Sequence, residues 1–199
     1  MTISYELGKN LYLNLTNKCT NRCEFCVRDN ENGIDKDLDL WLTREPTAEE
    51  VIKDLKARDL TKYDSVVFCG YGEPTMRLDV LLEVGAWLKE NTSLPVRLNT
   101  NGHANLIYKK DVTEELSKVL DAVSVSLNTD TAKKYANICH PAFGEAAYEG
   151  LLDFAKQCKE KGIDTVLSVV DVIPKEEIEN CKKIAQSVGV PLRVREYIE

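Results

Sequence analysis

The sequence predicts an α/β fold built on a parallel sheet, and three observations predict it. Six short runs rich in Val, Leu, Ile and Ser alternate with longer stretches whose apolar residues recur at helical spacing. The segments that follow those runs carry Cys, Gly, Glu and Asn, and loops after strand C-termini are where parallel sheets place their chemistry. No linker, repeat or shift of composition divides the 199 residues, so residues 1–199 read as one domain.

Leu11 to Thr16 is the first predicted strand, and CTNRCEFC follows it directly. Pro46 opens a helix that runs to Leu60, with Glu49 and Glu50 at the positive end of its dipole and Val51, Ile52 and Leu55 on its apolar face. Ser65 to Gly70 is the second strand. A turn rich in Gly and Pro leads to a helix from Leu78 to Glu90, where Val80, Leu81, Val84 and Leu88 share one face. The third strand, Val96 to Asn101, follows Pro95, and Thr113 to Leu120 is a short helix. In the fourth strand, Ala122 to Leu127, Val123, Val125 and Leu127 alternate with Ser124, Ser126 and Asn128. A helical stretch then breaks near Pro141 and resumes from Glu145 to Lys161. Thr165 to Val172, a helix from Lys175 to Val188, and Leu192 to Ile198 complete the alternation, with Gly162 and Gly189 where helix C-caps belong. Right-handed crossovers make such a sheet parallel, either as a curved partial barrel or as an open doubly wound sheet.

Composition narrows the function. A formal charge of -7 argues against nucleic acid and anionic lipid as partners, since both need clustered Lys and Arg. No apolar run approaches the roughly 20 residues that span a bilayer, and MTISYELGKN lacks a basic segment followed by an apolar one, so a soluble, cytoplasmic protein is expected. The seven cysteines are an odd number, and three fall in one short segment. That pattern suits thiolate ligation in a reducing compartment better than a disulfide framework.

Cys19, Cys23 and Cys26 are separated by three and then two residues, so one short loop can wrap three thiolates around a small inorganic core. Iron-sulfur clusters are normally held by four protein thiolates, and three without an obvious fourth leave one iron open to an exogenous ligand. Zinc is the alternative, but it favours four ligands in closely spaced pairs, and the later candidates Cys69, Cys139 and His140 are isolated. With Phe25 before the last cysteine, the segment matches CxxxCxxC and resembles the signature of the radical S-adenosylmethionine (SAM) superfamily.

That resemblance implies a partial (β/α)6 TIM-like barrel with parallel strands, a 4Fe-4S cluster on Cys19, Cys23 and Cys26, and SAM chelated at the open iron. Reductive cleavage of SAM would yield a 5′-deoxyadenosyl radical that abstracts hydrogen from an unidentified substrate. An external one-electron reductant such as flavodoxin or ferredoxin is implied as well. GYGEP, Gly70 to Pro74, looks like the family's glycine-rich segment for the methionine amino group, with Gly72 allowing close approach and Glu73 as anionic acceptor; alone it reads as a plain turn. NTNG resembles the polar strand end near the ribose and methionine, with Asn99 as the inward residue and Asn101 as an alternative turn cap. SVSLN offers Ser126 and Asn128 to the ribose hydroxyls, Asn128 standing where an acid is more usual. Phe25 would lie against the adenine, and Val172 either packs on its other side or is ordinary core. LYLNLTNKC, WLTREPT, FCGYGEP, RLNTNG and VSVSLN carry a closer similarity to the small TatD-associated radical SAM proteins, which implies a TatD-type hydrolase as a functional partner.

Other residues have duller readings beside functional ones. Cys158 and Cys181 lie on amphipathic helices as small buried hydrophobes. Cys69 and Cys139 are packing residues, or else hydrogen-atom donors or ligands. The acidic stretch from Asp29 to Pro46 is a lid, or a solvated loop tacked down by Trp41. Arg193, Arg195 and Tyr197 share one face of the last strand and suit a carboxylate or phosphate at the barrel mouth; facing outward, they would pair with helix acids. Arg77, His103 and His140 read as surface groups. The competing functions are an activase that places a glycyl radical on a partner protein and a non-catalytic iron-sulfur or metal-binding redox module.

Overall fold

The computed structural model describes all residues except 31–32, 35–37 and 198–199. Strand β1 (Ser4–Leu7) turns through Gly8, at φ +58°, into β2 (Asn10–Leu13), and the two pair antiparallel with Tyr5 opposite Tyr12. A two-residue Gly-Lys turn with φ above zero at its first position is a hairpin connection. The sequence reading passed over this hairpin because it placed the first strand at Leu11 to Thr16.

From there strands and helices alternate: α1 (Ala48–Lys56), β3 (Ser65–Phe68), α2 (Leu78–Asn91), β4 (Val96–Thr100), α3 (Ala104–Tyr108), α4 (Thr113–Ser117), β5 (Ala122–Ser126), α5 (Ala132–Cys139), α6 (Ala146–Glu160), β6 (Asp164–Val170), α7 (Lys175–Val188) and β7 (Leu192–Arg195). The strand order is β1-β2-β3-β4-β5-β6-β7, with every pair from β2 onward parallel. A doubly wound sheet reverses its order at a switch point. Here nothing reverses, so each right-handed crossover returns on the same side and the sheet is a partial TIM-like barrel.

The helix-side core joins Leu11, Leu13, Val66, Phe68, Leu98, Val123, Val125, Leu167 and Val169 from the strands to Val51, Leu81, Leu88, Leu151 and Phe154 from the helices. The alternate positions Tyr12, Arg97, Asn99, Ser124, Ser126 and Ser168 point to the other, concave face. Cys158 and Cys181 are fully buried in this core, as small hydrophobes on helices should be.

Several boundaries move for local reasons. Pro46 lies before α1; the helix starts at Ala48 because Thr47 caps it, accepting from Glu50 N while the Glu50 carboxylate accepts from Thr47 N, a reciprocal capping box. The strands expected to reach Gly70, Asn101, Leu127 and Val172 end before those residues, although Leu127 N still donates to Ser168 O of β6 at 2.8 Å. Gly162 and Gly189 both take positive φ at the ends of α6 and α7. Among the described residues no helix is long and apolar enough to cross a membrane.

Candidate active site

The loop leaving β2 is held at many points before any ligand is considered. Asn17 exchanges two hydrogen bonds with the Leu42 backbone, donating at 2.8 Å and accepting at 3.0 Å. Arg22 N donates to Cys139 O and Glu24 N to Ile138 O, at 2.8 and 3.0 Å, so the middle of the loop is stapled to the end of α5. Asn21 Nδ2 donates to Tyr135 Oη at 2.8 Å. Cys26 N then closes a turn on Cys23 O at 3.2 Å. Sequence places three thiols in one loop; these bonds make the loop a fixed support.

All three cysteines are free thiols of intermediate exposure. Burial pushes the Cys19 thiol up to about 12, and it also raises Cys26. Cys23 is raised first by a hydrogen bond with Cys139 and then by burial. The guanidinium of Arg28 acts the other way on each of the three; its buried Nε lies 3.8 Å from Asp29 Oδ2 and has no hydrogen-bond acceptor among the described residues. Arg28 escaped the sequence reading, although its place two residues after the last cysteine was visible. Among the described residues no group of three His, Cys, Asp or Glu closes around a single metal ion. A mononuclear site needs each sulfur within about 2.3 Å of one zinc, whereas a cluster takes one thiolate per iron and holds its ligands farther apart.

The GYGEP turn packs onto this loop from β3. Glu73 N donates to Lys18 O at 2.8 Å, and a Cβ on Gly72 would collide with the carbonyl oxygens of Thr16 and Lys18. Gly72 is thus required by an approach of backbone to backbone. Glu73 is 3% exposed, and four donors converge on it. Oε1 accepts from Thr75 N at 3.0 Å, Thr75 Oγ1 at 2.7 Å and Thr100 Oγ1 at 2.8 Å, while Oε2 accepts from Asn101 N at 2.7 Å. Burial raises its pKa and these donors partly offset that. Oε2 accepts only one of the four, so the carboxylate ties β3 to β4 and retains acceptor capacity.

Asn99 is half-buried on the concave face, hydrogen-bonded to Cys69. Asn101 both caps its turn, accepting from His103 N at 3.1 Å, and reaches the cysteine loop, donating to Thr20 Oγ1 at 2.8 Å and to Cys19 Sγ at 3.7 Å. Ser126 is half-buried at the end of β5, opposite Ser168. Asn128 takes φ +62°, donates to Cys139 Sγ at 3.5 Å, and has a buried Oδ1 that finds no donor among the described residues. Cysteine loop, GYGEP and NTNG therefore meet directly, and Asn128 joins them through Cys139 and Cys23.

Other expected positions fall differently. Phe25 packs against the helix-side core. Val172 lies beyond β6 and is 43% exposed, so it is not core. His103, expected at the surface, is fully buried between Thr20 Oγ1 at 3.0 Å and Tyr135 Oη at 3.2 Å, and burial pushes its pKa down to about 4. His140 is exposed and pairs with Glu24, and Arg77 pairs with Glu45. Trp41 is 47% exposed yet packs its ring edge-on against Tyr71, with centroids 5.3 Å apart, and the buried Leu40, packed with Tyr5 and Tyr71, and Leu42 tack down the acidic loop beside it. The residues of that loop at 31–32 and 35–37 are outside the described set.

Comparison with known proteins gives a consistent result. The family model described as Radical SAM superfamily matches residues 13–188. A Methanocaldococcus jannaschii protein named as a glycyl-radical enzyme activating enzyme is 28% identical over 177 residues, covering 83% of this chain and 64% of that one. A Thermococcus kodakarensis protein named as a GTP 3′,8-cyclase is 28% identical over 188 residues, covering 94% of this chain and 56% of the relative. The chain thus spans a little over half the length of these relatives. Among solved structures, Streptococcus suis SuiB bound to precursor peptide SuiA superposes with a TM-score of 0.74 over 96% of this chain and 40% of that one; at 20% identity the likeness is one of fold.

Proposed function

Because the chain belongs to the radical SAM superfamily, we propose that it cleaves S-adenosylmethionine reductively and uses the resulting radical to abstract hydrogen from a substrate lying over the strand C-termini. The observation that carries this reading is the fixed loop that presents Cys19, Cys23 and Cys26 as free thiols beside GYGEP and NTNG. The donor set fits a 4Fe-4S cluster with SAM: three soft thiolates with a compensating guanidinium for the metal, and an orphaned buried carbonyl on Asn128 for a ligand hydroxyl. Held by Cys19, Cys23 and Cys26 and reduced by an external one-electron donor, a cluster would supply the electron that cleaves the sulfonium of SAM to methionine and a 5′-deoxyadenosyl radical.

The chain's own residues do the remainder. Cys19, Cys23 and Cys26 release their protons to ligate metal, and Arg28 offsets the charge that results. Gly72 and Glu73 orient the methionine end, the free lone pair of Glu73 Oε2 accepting from the amino group. Asn99 and Ser126 reach the ligand from the concave face, and Asn128 accepts from the ribose. Phe25, anchored in the core, fixes the backbone beside the adenine. In this reading residues 1–199 form a radical SAM core domain that works in the cytoplasm and draws its electron from a flavodoxin or ferredoxin. The phrases FCGYGEP, RLNTNG and VSVSLN support placing it with the small TatD-associated radical SAM proteins, with a TatD-type hydrolase as functional partner.

A second reading, activation of a partner enzyme by a glycyl radical, is favoured by the similarity to the Methanocaldococcus jannaschii activating enzyme. The test common to both is anaerobic reconstitution with iron and sulfide, dithionite reduction, and chromatographic detection of 5′-deoxyadenosine. Wild type is expected to form it and Cys23→Ala is not. A four-iron cluster that neither binds nor cleaves SAM would leave the chain as a redox module.

A further inference from the structure

Three guanidiniums on the concave face have no part in the chemistry proposed above. Side chains alternate along a strand, so Arg193 and Arg195 of β7 lie opposite Leu192, which packs on the helix-side core, and Arg97 of β4 lies opposite the buried Val96 and Leu98. The register continues this face, since Arg193 pairs with Ser168 and Ser168 with Ser126. Among the described residues none of the three guanidiniums forms an ion pair, whereas Arg44, Arg58 and Arg77 pair with Glu50, Glu6 and Glu45; Arg97 shares its hollow with Asp121 and Asp164, while Arg193 and Arg195 have no such neighbours there. In a chain with 33 acidic against 26 basic side chains, leaving them unpaired is not what composition favours.

Their surroundings bring them together. Arg97 and Arg193 both lower the pKa of the Tyr12 phenol, which burial raises. Arg195, the last residue of β7, bears on Cys69 just after β3. Among the described residues its buried Nε has no acceptor. Burial lowers its own pKa, and the like charge of Arg193 acts in the same direction. Cations gathered in a part-buried concavity cost desolvation and repulsion that a bound anion would offset.

We infer that Arg193 and Arg195 anchor a carboxylate or phosphate group of the substrate. The planar guanidinium fork matches either oxyanion with paired hydrogen bonds. Arg195 pairs with Val170 at the C-terminal end of β6, so an anion held there lies at the end of the sheet from which the cysteine loop leaves β2. This deepens the radical reading, which alone says why that placement matters; the anion site itself needs no turnover to be detected.

The test titrates pyrophosphate and, separately, citrate into the anaerobically reconstituted protein by calorimetry, comparing wild type with Arg193→Gln, Arg193→Lys and Arg195→Gln. Arg193 is exposed, so its variants report binding without loss of fold, and circular dichroism checks Arg195→Gln. At least one probe should bind wild type and weaken roughly tenfold or more in Arg193→Gln, with part of the affinity kept by Arg193→Lys. Pyrophosphate binding alone assigns a phosphate, citrate alone a carboxylate. Equal binding by wild type and Arg193→Gln overturns the inference, as does absence of binding by either probe. Displacement of the probe by SAM overturns it too, since the pair would then serve the cofactor's own carboxylate. Wild type that binds a probe but forms no 5′-deoxyadenosine sinks the radical reading and spares the anion site.

Discussion

Replacing Glu73 by Gln separates its role as an anchor from its role toward a ligand. The carboxylate holds four donors from β4 and from the turn after GYGEP. In Glu73→Gln, Oε1 keeps its three, but the amide nitrogen meets Asn101 N–H with a donor of its own. One charge-assisted bond of about 1.5–3 kcal/mol is lost, and the other three fall toward the neutral value of about 1 kcal/mol. Relief of the buried charge returns part of this, so a net loss of about 2–4 kcal/mol is expected. For a chain of this size each kcal/mol moves the melting temperature by about 2–4 °C, which puts the drop at roughly 5–15 °C. Thermal unfolding followed by circular dichroism on metal-free protein reads it. An unchanged melting temperature together with lost SAM binding would refute the anchor argument and leave Glu73 purely a ligand contact.

Gly72→Ala sets a Cβ against two backbone carbonyls that cannot rotate away; a loss of about 1–3 kcal/mol in urea unfolding is expected, with lower iron content after reconstitution. His103 is held neutral, with a pKa of about 4 against an ordinary 6.5. The unfolded chain takes up the proton first, so its contribution to stability is complete above about pH 6.5 and is lost as pH falls toward 4. That amounts to about 3 kcal/mol, and His103→Gln should flatten the pH dependence of unfolding across that window. The Cys19 thiol stays protonated up to about 12 in the metal-free protein, so reconstitution should release protons and proceed more readily at pH 8 than at pH 6; cluster uptake equal at both would contradict that coupling.

Much of this protein was legible from local pattern. The Val123, Val125, Leu127 alternation, the helix from Lys175 to Val188 and the cysteine spacing depend on neighbours in the chain, and periodicity reads such neighbours directly. Gly189 announced its helix end because a positive φ is cheap only for that residue. The β1–β2 hairpin was passed over because its signal is a single Gly-Lys turn between short strands. The buried state of His103 was hidden for another reason: Thr20 and Tyr135, which satisfy its two nitrogens, lie far away in sequence.

What the sequence determined by itself was the set of groups available: three thiols in one loop, a Gly-Glu turn, and Asn and Ser at strand ends. The tertiary structure decided what each group is for. A strand order without reversal curves the sheet and gives it a concave face, which local pattern left open between barrel and open sheet. Only the pairing of β7 with β6 sets Arg193 beside Ser168 on that face, and only the contact between β3 and β4 commits Glu73 to four donors. Periodicity fixes which side of an element a residue takes; which distant residue shares that side is set by how the elements close on one another.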